Sequence, residues 1–275
     1  MPDPENVSRA SGLGGGLLLF RRLPVHHLPP PAHLLALKSM PRLSLQNVSV
    51  DFPVFGSHAG SLKRVLVASV TGGAISKETG VTMIHALDGI SLELRSGDRL
   101  GITGHNGAGK STLLRALAGV YPPTQGHYRC EGTISSLIEP TLGIEPEFTG
   151  YENIALRGVI MGVSAREMES LTPAIADFCE LGDFLNMPVR TYSTGMLMRL
   201  AFAITTTVRA DILLMDEWLS VGDAEFQSKS ADRMQEVVQN AGILVLASHS
   251  PALIKRECNR VIELAHGKIV RDEPL

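Results

Sequence analysis

The sequence predicts an α/β fold: a mostly parallel core sheet with a helical insertion within it. Three observations predict it. Strand-like and helix-like segments alternate from residue 98 onward, as crossover-connected parallel strands require. Two short apolar runs, Ile212–Met215 and Ile243–Ala247, have no polar alternation and read as strands buried on both faces. Two earlier segments, Leu43–Phe52 and Ala86–Leu94, do alternate and read as half-buried strands.

The elements follow in chain order. Residues 1–39 contain Gly14-Gly15-Gly16 and Pro29-Pro30-Pro31 and few periodic apolar positions. That composition opposes regular structure. They are expected to be a disordered tail or a misassigned start, with the ordered chain beginning near Met40. Asp3, Glu5 and Arg21-Arg22 around the short run Leu17–Phe20 are a poor match to a secretory signal. After the strand Leu43–Phe52, residues 56–80 are rich in Gly, Ser and Thr and read as an extended loop or insertion. Ala86–Leu94 is a strand, Ser96-Gly97-Asp98 a turn, and Asp98–Thr103 a short buried strand running into a glycine-rich loop. Helices are expected at Lys110–Ala118, Gly150–Gly162, Ser164–Cys179, Thr194–Val208, Phe226–Gln239 and Pro251–Glu257. The remaining strands are Thr133–Ile138, Ile212–Met215, Ile243–Ala247 and Val261–Leu264. The main domain is thus expected over 40–270, its helical part at about 140–208, with 271–275 a tail.

Composition narrows the function. The chain has 275 residues, 44% apolar and 19% charged, enough for a core and too few charges for a disordered chain. The net charge is −3, and only seven of the 25 basic residues are Lys, scattered along the chain. A nucleic-acid partner is therefore not expected, since phosphate neutralisation needs clustered cations. No apolar run approaches the roughly 20 residues of a membrane helix. Cys130, Cys179 and Cys258 lack paired spacing, so neither a zinc nor a disulfide framework is readable and a reducing compartment fits.

Gly104-His105-Asn106-Gly107-Ala108-Gly109-Lys110-Ser111 matches G-x-x-x-x-G-K-[ST]. Its glycines let backbone N–H groups turn inward around phosphate oxygens. The following helix adds unpaired N–H groups and the positive end of its dipole. Lys110 would reach the β- and γ-phosphates and Ser111 would offer a hydroxyl to Mg²⁺. Thr112 joins the candidate nucleotide-binding set. An apolar strand before the motif and the inward positions Leu113, Leu114 and Leu117 after it are the context a P-loop NTPase fold requires.

Ile212-Leu213-Leu214-Met215 ends in Asp216-Glu217. The C-terminal end of a parallel strand opens on the ligand crevice of such sheets. Asp216 is the candidate Mg²⁺ ligand, directly or through water. Glu217 is the candidate base for the attacking water.

With these residues in view, the chain resembles the nucleotide-binding subunits of ABC transporters over about residues 41–270. Tyr192-Ser193-Thr194-Gly195-Met196 looks like a divergent form of the family's LSGGQ signature. Ser193 would cap a helix with Leu197, Leu200, Ile204 and Val208 on one face. The resemblance implies that Ser193 and Gly195 meet the γ-phosphate held by a second subunit. It also implies that His249, after the strand Ile243–Ala247, is the switch histidine. Ser220-Val221-Gly222-Asp223 resembles the D-loop, which implies that Asp223 bridges across the dimer. Phe52 lies where an aromatic stacks on adenine, although Phe55 and His85 compete for that place. The family's usual Gln is replaced by Glu139, which still suits a metal-bound water but adds negative charge.

The Tyr-Ser-x-Gly-Met turn, Glu139, Phe148–Ile154 and Val221–Gln227 together look like the ATPases of bacterial polysaccharide exporters, which move O-antigen, capsular polysaccharide or teichoic acid. Some members add a C-terminal carbohydrate-binding domain, which is not expected in a sequence ending at Leu275. The resemblance implies an ABC ATPase fold, with an antiparallel β subdomain beside the mostly parallel core sheet, ATP and Mg²⁺ as ligands, a homodimer of cassettes, and an integral-membrane permease at the cytoplasmic face of the bacterial inner membrane. An exporter of another cargo and a non-transport ABC ATPase acting on nucleic acid stay open as alternatives.

Overall fold

In this computed structural model, residues 40–54, 74–78, 81–217 and 224–275 are described. Their chain order is β1 (Arg42–Val54), β2 (Ala74–Glu78), β3 (Val81–Arg95), β4 (Arg99–Thr103), α1 (Lys110–Leu117), β5 (Gln125–Glu131) and β6 (Ile134–Leu137). There follow α2 (Gly150–Ile160), α3 (Ala165–Cys179), two short 3₁₀ turns at Gly182–Asn186 and Val189–Thr191, and α4 (Thr194–Thr207). The remainder is β7 (Ile212–Asp216), α5 (Ala224–Asn240), β8 (Ile243–Ala247), α6 (Pro251–Glu257), β9 (Arg260–Ala265) and β10 (Lys268–Pro274).

Two sheets result. β2-β3-β1-β5 is antiparallel throughout. In the six-stranded sheet, ordered β10-β9-β4-β8-β7-β6, all neighbours are parallel except the β9–β10 hairpin. The period of two in a strand explains how the parallel sheet serves two cores. Ile212 and Leu214 of β7, with Ile243, Val245 and Ala247 of β8, face the antiparallel sheet and α1. Leu213 and Met215, with Leu244 and Leu246, face the helical side, against Phe202 and Met234. Both faces of these strands are buried, which is why their sequences do not alternate.

α1 is pinned through Leu113, Leu114 and Leu117, each 0% exposed. Each such leucine contributes about 2 kcal/mol relative to solvent exposure. The loop ahead of α1 is therefore carried on a fixed support. α2 begins with a capping box, Thr149 and Glu152 exchanging side chain-to-backbone bonds, and α3 begins with Ser164 as cap.

Two expectations are corrected and one strand is added. The stretch 56–80 is not all loop, because β2 pairs with β3 from Ala74↔His85 to Glu78↔Val81; residues 56–73 and 79–80 lie outside the described residues. The end of the chain is not a tail, because Arg271–Pro274 pair with β9. β5, absent from the sequence reading, is an edge strand beside β1. Residues 1–39 lie outside the described residues.

Candidate active site

The glycine-rich loop begins where β4 ends. Thr103 Oγ1 donates to the Ile262 carbonyl at 3.0 Å, tying the strand end to β9. Gly104 follows at φ 141°, and a Cβ there would sit 2.4 Å from the Leu264 carbonyl oxygen. A side chain cannot be accepted at that close approach. Gly109 closes the loop at φ 109° as the N-cap of α1. The β9–β10 turn braces the loop from outside, Gly267 N–H donating to the Ala108 carbonyl at 2.9 Å.

Lys110 curls back over this loop. Its Nζ donates to the carbonyls of Gly104 at 2.9 Å and His105 at 3.2 Å. The residue is only 9% exposed. Burial pushes the ammonium pKa down, against the opposing attraction of Asp216 and Glu217. One turn of α1 is thus crowned by a cation whose own protein partners are two carbonyls.

The parallel strand β7 delivers the carboxylates. Ser111 Oγ donates to Asp216 Oδ2 at 2.6 Å. Glu217 adopts φ 74°, a left-handed conformation that a non-glycine residue holds only when its surroundings fix it. Those surroundings are explicit. Glu217 N–H donates to the Ala247 carbonyl at 2.9 Å, Ser248 Oγ donates to Glu217 Oε2 at 2.9 Å, and His249 N–H donates to Oε1 at 2.8 Å. The end of β8 therefore aims the carboxylate.

A cleft of about 440 Å³ runs along these groups. It is lined by Phe52, Ile84 and Ala86 from the antiparallel sheet, by Asn106, Gly107, Gly109, Lys110, Ser111 and Thr112, and by Asp216, Glu217 and His249. Phe52 meets Tyr121 edge to face, 5.1 Å between centroids. His85 does not line the cleft, its Nδ1 lying 2.7 Å from Asp51 Oδ1. Phe55 lies outside the described residues. An apolar wall at one end and a fan of N–H groups, an ammonium and a hydroxyl at the other suit a flat base joined to phosphates.

Three sequence-selected residues, Ser193, Gly195 and Glu139, do not line the cleft. Ser193 caps α4, accepting from Met196 N–H at 3.2 Å, and Ser193, Thr194 and Gly195 are exposed and do not line the cleft. Glu139 also stays out of the lining and is paired with Arg115 of α1. Asp223 lies outside the described residues. Ser248, Gly267 and Arg115 gained no role from sequence reasoning. Only Arg115 had a local signal, four residues after Ser111 on the same helical face.

Comparison with known proteins decides the family. The chain is 47% identical over 234 residues, 85% of its length and 98% of the other's, to the O-antigen export system ATP-binding protein RfbE of Yersinia enterocolitica. Residues 87–220 match the ABC transporter family itself. This chain belongs to the ABC transporter family. It is an ATP-binding, ATP-hydrolysing component of such a transporter. A second relative, the teichoic acids export ATP-binding protein TagH of Listeria monocytogenes, is 36% identical over 228 residues; the alignment covers 83% of this chain and 65% of that protein. Among solved structures, the dimeric bacterial ABC transporter cassette MJ0796 superposes with a TM-score of 0.61 at 20% identity, covering 85% of this chain and 98% of that one. That likeness establishes the ABC ATPase fold. No described helix is long and apolar enough to cross a membrane.

Proposed function

We propose that this ABC ATPase powers export of a surface polysaccharide of the O-antigen or teichoic acid class. It acts as a homodimer of cassettes against an integral-membrane permease at the cytoplasmic face of the bacterial inner membrane. The observation that carries the cargo class is the 47% identity over 98% of an O-antigen export ATPase.

The cleft supports a mechanism. The P-loop N–H groups and Lys110 hold the β- and γ-phosphates, while Phe52 backs the base. Ser111 and Asp216 are hard oxygen donors at one point, which fits Mg²⁺, and no cluster of three or more His, Cys, Asp or Glu exists among the described residues. That sparse set suits Mg²⁺, which takes one or two protein ligands and leaves the rest to phosphate and water. Mg²⁺ supplies charge neutralisation on the phosphates. Glu217, aimed by Ser248 and the His249 N–H, accepts the proton of the attacking water.

The exposed Ser193–Gly195 turn supports dimer formation. It is a capped helix N-terminus suited to an anion, yet it does not line its own cleft. Two chains placed head to tail bring each turn to the other's γ-phosphate, so ATP becomes part of the interface. Docking on a permease is supported by exposed apolar side chains on the helical region, among them Leu142, Val159 and Ile160, 59%, 70% and 57% exposed.

The test of the ATP-dependent dimer is Glu217→Gln. Size-exclusion chromatography with Mg-ATP is expected to show a dimer that wild type passes through only transiently, with turnover abolished. A Glu217→Gln protein that binds ATP but stays monomeric would remove the head-to-tail arrangement. For cargo, expression in a bacterium lacking its own O-antigen export ATPase should restore surface polysaccharide. Restored ATPase without surface polysaccharide would count against the cargo class.

A further inference from the structure

The segment leading from β6 into the helical region is gripped by arginines from two sides. Arg115 projects from α1, one turn beyond Ser111. Its Nη2 pairs with Glu139 Oε1. Its guanidinium carbon also lies 5.9 Å from the centre of the Tyr121 ring, the same ring that meets Phe52. Glu139 is the first residue of a turn closed by Leu142 N–H on the Glu139 carbonyl at 3.0 Å. Arg157 holds the other end of that turn through Nη1 on the Leu142 carbonyl, while its Nη2 reaches Thr205 of α4 at 3.0 Å.

Glu139 is an acidic, exposed residue at the start of this turn. Its carboxylate is 47% exposed, and Arg115, 28% exposed, is its ion-pair partner. An unpaired carboxylate next to Arg115, which itself stands one helical turn beyond Ser111, would repel a triphosphate. For two unit charges about 10 Å apart at a surface-like dielectric, repulsion of that kind corresponds to roughly a tenfold loss of affinity.

We propose that Arg115 is a positioning residue: it neutralises Glu139 and fastens the linker of the helical region to the P-loop helix, so that a carboxylate is tolerated beside the triphosphate. The inference rests on the nucleotide reading of the cleft given above. It assigns Arg115 no contact with ATP. Its effect on nucleotide is carried by the charge of Glu139 and is lost when that charge is removed.

The test is a double-mutant cycle on the full chain, read as binding of a fluorescent ATP analogue with Mg²⁺ and as KM and kcat separately. Arg115→Met should weaken binding about tenfold and raise KM more than it lowers kcat. In the Glu139→Gln background the same Arg115→Met change should cost no further affinity. Arg115→Lys should retain most of the wild-type affinity, and added salt should narrow the gap between wild type and Arg115→Met. Circular dichroism monitors folding. If Arg115→Met does not fold, the swapped pair Arg115→Glu with Glu139→Arg is read instead and should bind as wild type does. The proposal is overturned if Arg115→Met binds as wild type, if its loss persists in the Glu139→Gln background, or if the swapped pair binds weakly. A wild-type protein that takes up no Mg-ATP would instead overturn the nucleotide reading itself.

Discussion

Ser248 donates its hydroxyl to Glu217 at 2.9 Å, from the end of one parallel strand to the residue just past the end of its neighbour. Ser248 is itself 2% exposed and receives Ser250 N–H at 3.1 Å, so the hydroxyl has little freedom to point elsewhere. Glu217 needs such an anchor because its φ of 74° is unfavourable for a residue with a side chain. Ser248→Ala should therefore lower kcat about tenfold, the worth of one hydrogen bond to a charged group, with ATP affinity unchanged. Steady-state ATPase assays beside equilibrium nucleotide binding separate the two. A matching loss of affinity would mean that Ser248 shapes the cleft rather than the base.

Lys110 gives the site a pH dependence whose sign can be worked out. Burial holds its folded-state pKa below the ordinary 10.5. Between the lowered value and 10.5 the unfolded chain binds more protons, so the nucleotide-free protein gains stability from this group as pH rises through that window. With Lys110 in the phosphate-holding role proposed above, ATP favours the ammonium, so affinity should fall over the same window, and binding there should take up protons. Calorimetry of ATP binding in two buffers of different ionisation enthalpy, from neutral pH to about 10, measures that uptake. Lys110→Ala should abolish it; uptake surviving the substitution would assign it to another group.

Gly267 and Gly97 form a natural comparison. Both have positive φ, 76° and 94°, but a Cβ at Gly267 would lie 2.7 Å from the Ala86 carbonyl oxygen, whereas nothing lies within 4 Å of one at Gly97. Gly97→Ala should cost about 1 kcal/mol of backbone strain and leave ATP affinity alone. Gly267→Ala should lower the melting temperature further and weaken ATP binding, because the turn it distorts supplies the N–H that holds Ala108 in the P-loop. Equal effects of the two substitutions would deny the β9–β10 turn any role in bracing the loop.

These relationships mark where the sequence is transparent. β7 and β8 are readable because both faces are buried, so their apolar runs have no competing interpretation. The P-loop and Asp216-Glu217 are readable because each is contiguous in the chain. β5 and β10 are not, being edge strands rich in exposed polar residues such as Gln125, His127, Arg271 and Asp272. With one neighbour each, they lack the pressure that imposes an apolar pattern. Ser248 on Glu217 and Gly267 on Ala108 join segments far apart in sequence, so only the topology of the sheet brings them together. Glu139 was recognised as a departure from the family, but its partner lies 24 residues away on α1 and has no motif of its own.

Ser193 and Thr149 separate a helix cap from a site. Ser193 is exposed and Thr149 half-buried, and each is an N-cap whose oxygen accepts an N–H three residues on, from Met196 at 3.2 Å and Glu152 at 3.2 Å. Substitution by Ala removes one capping bond in either case, worth about 1 kcal/mol. Thr149 belongs to a complete capping box, with Glu152 returning a bond to its N–H at 2.7 Å, so its loss should be at least as large in stability. Thr149→Ala is accordingly expected to lower the melting temperature by a few degrees with ATPase activity retained. Ser193→Ala should show a similar or smaller thermal shift, yet lose ATPase activity far beyond it. The same variant should fail to form the ATP-bound dimer when combined with Glu217→Gln. The reason is positional: the N–H groups released at Ser193 face outward, toward the place a second chain's γ-phosphate must occupy if the cassettes close head to tail. Thermal melts and ATPase rates measured on both variants decide it, and parallel losses for the two caps would reduce Ser193 to the end of an ordinary helix.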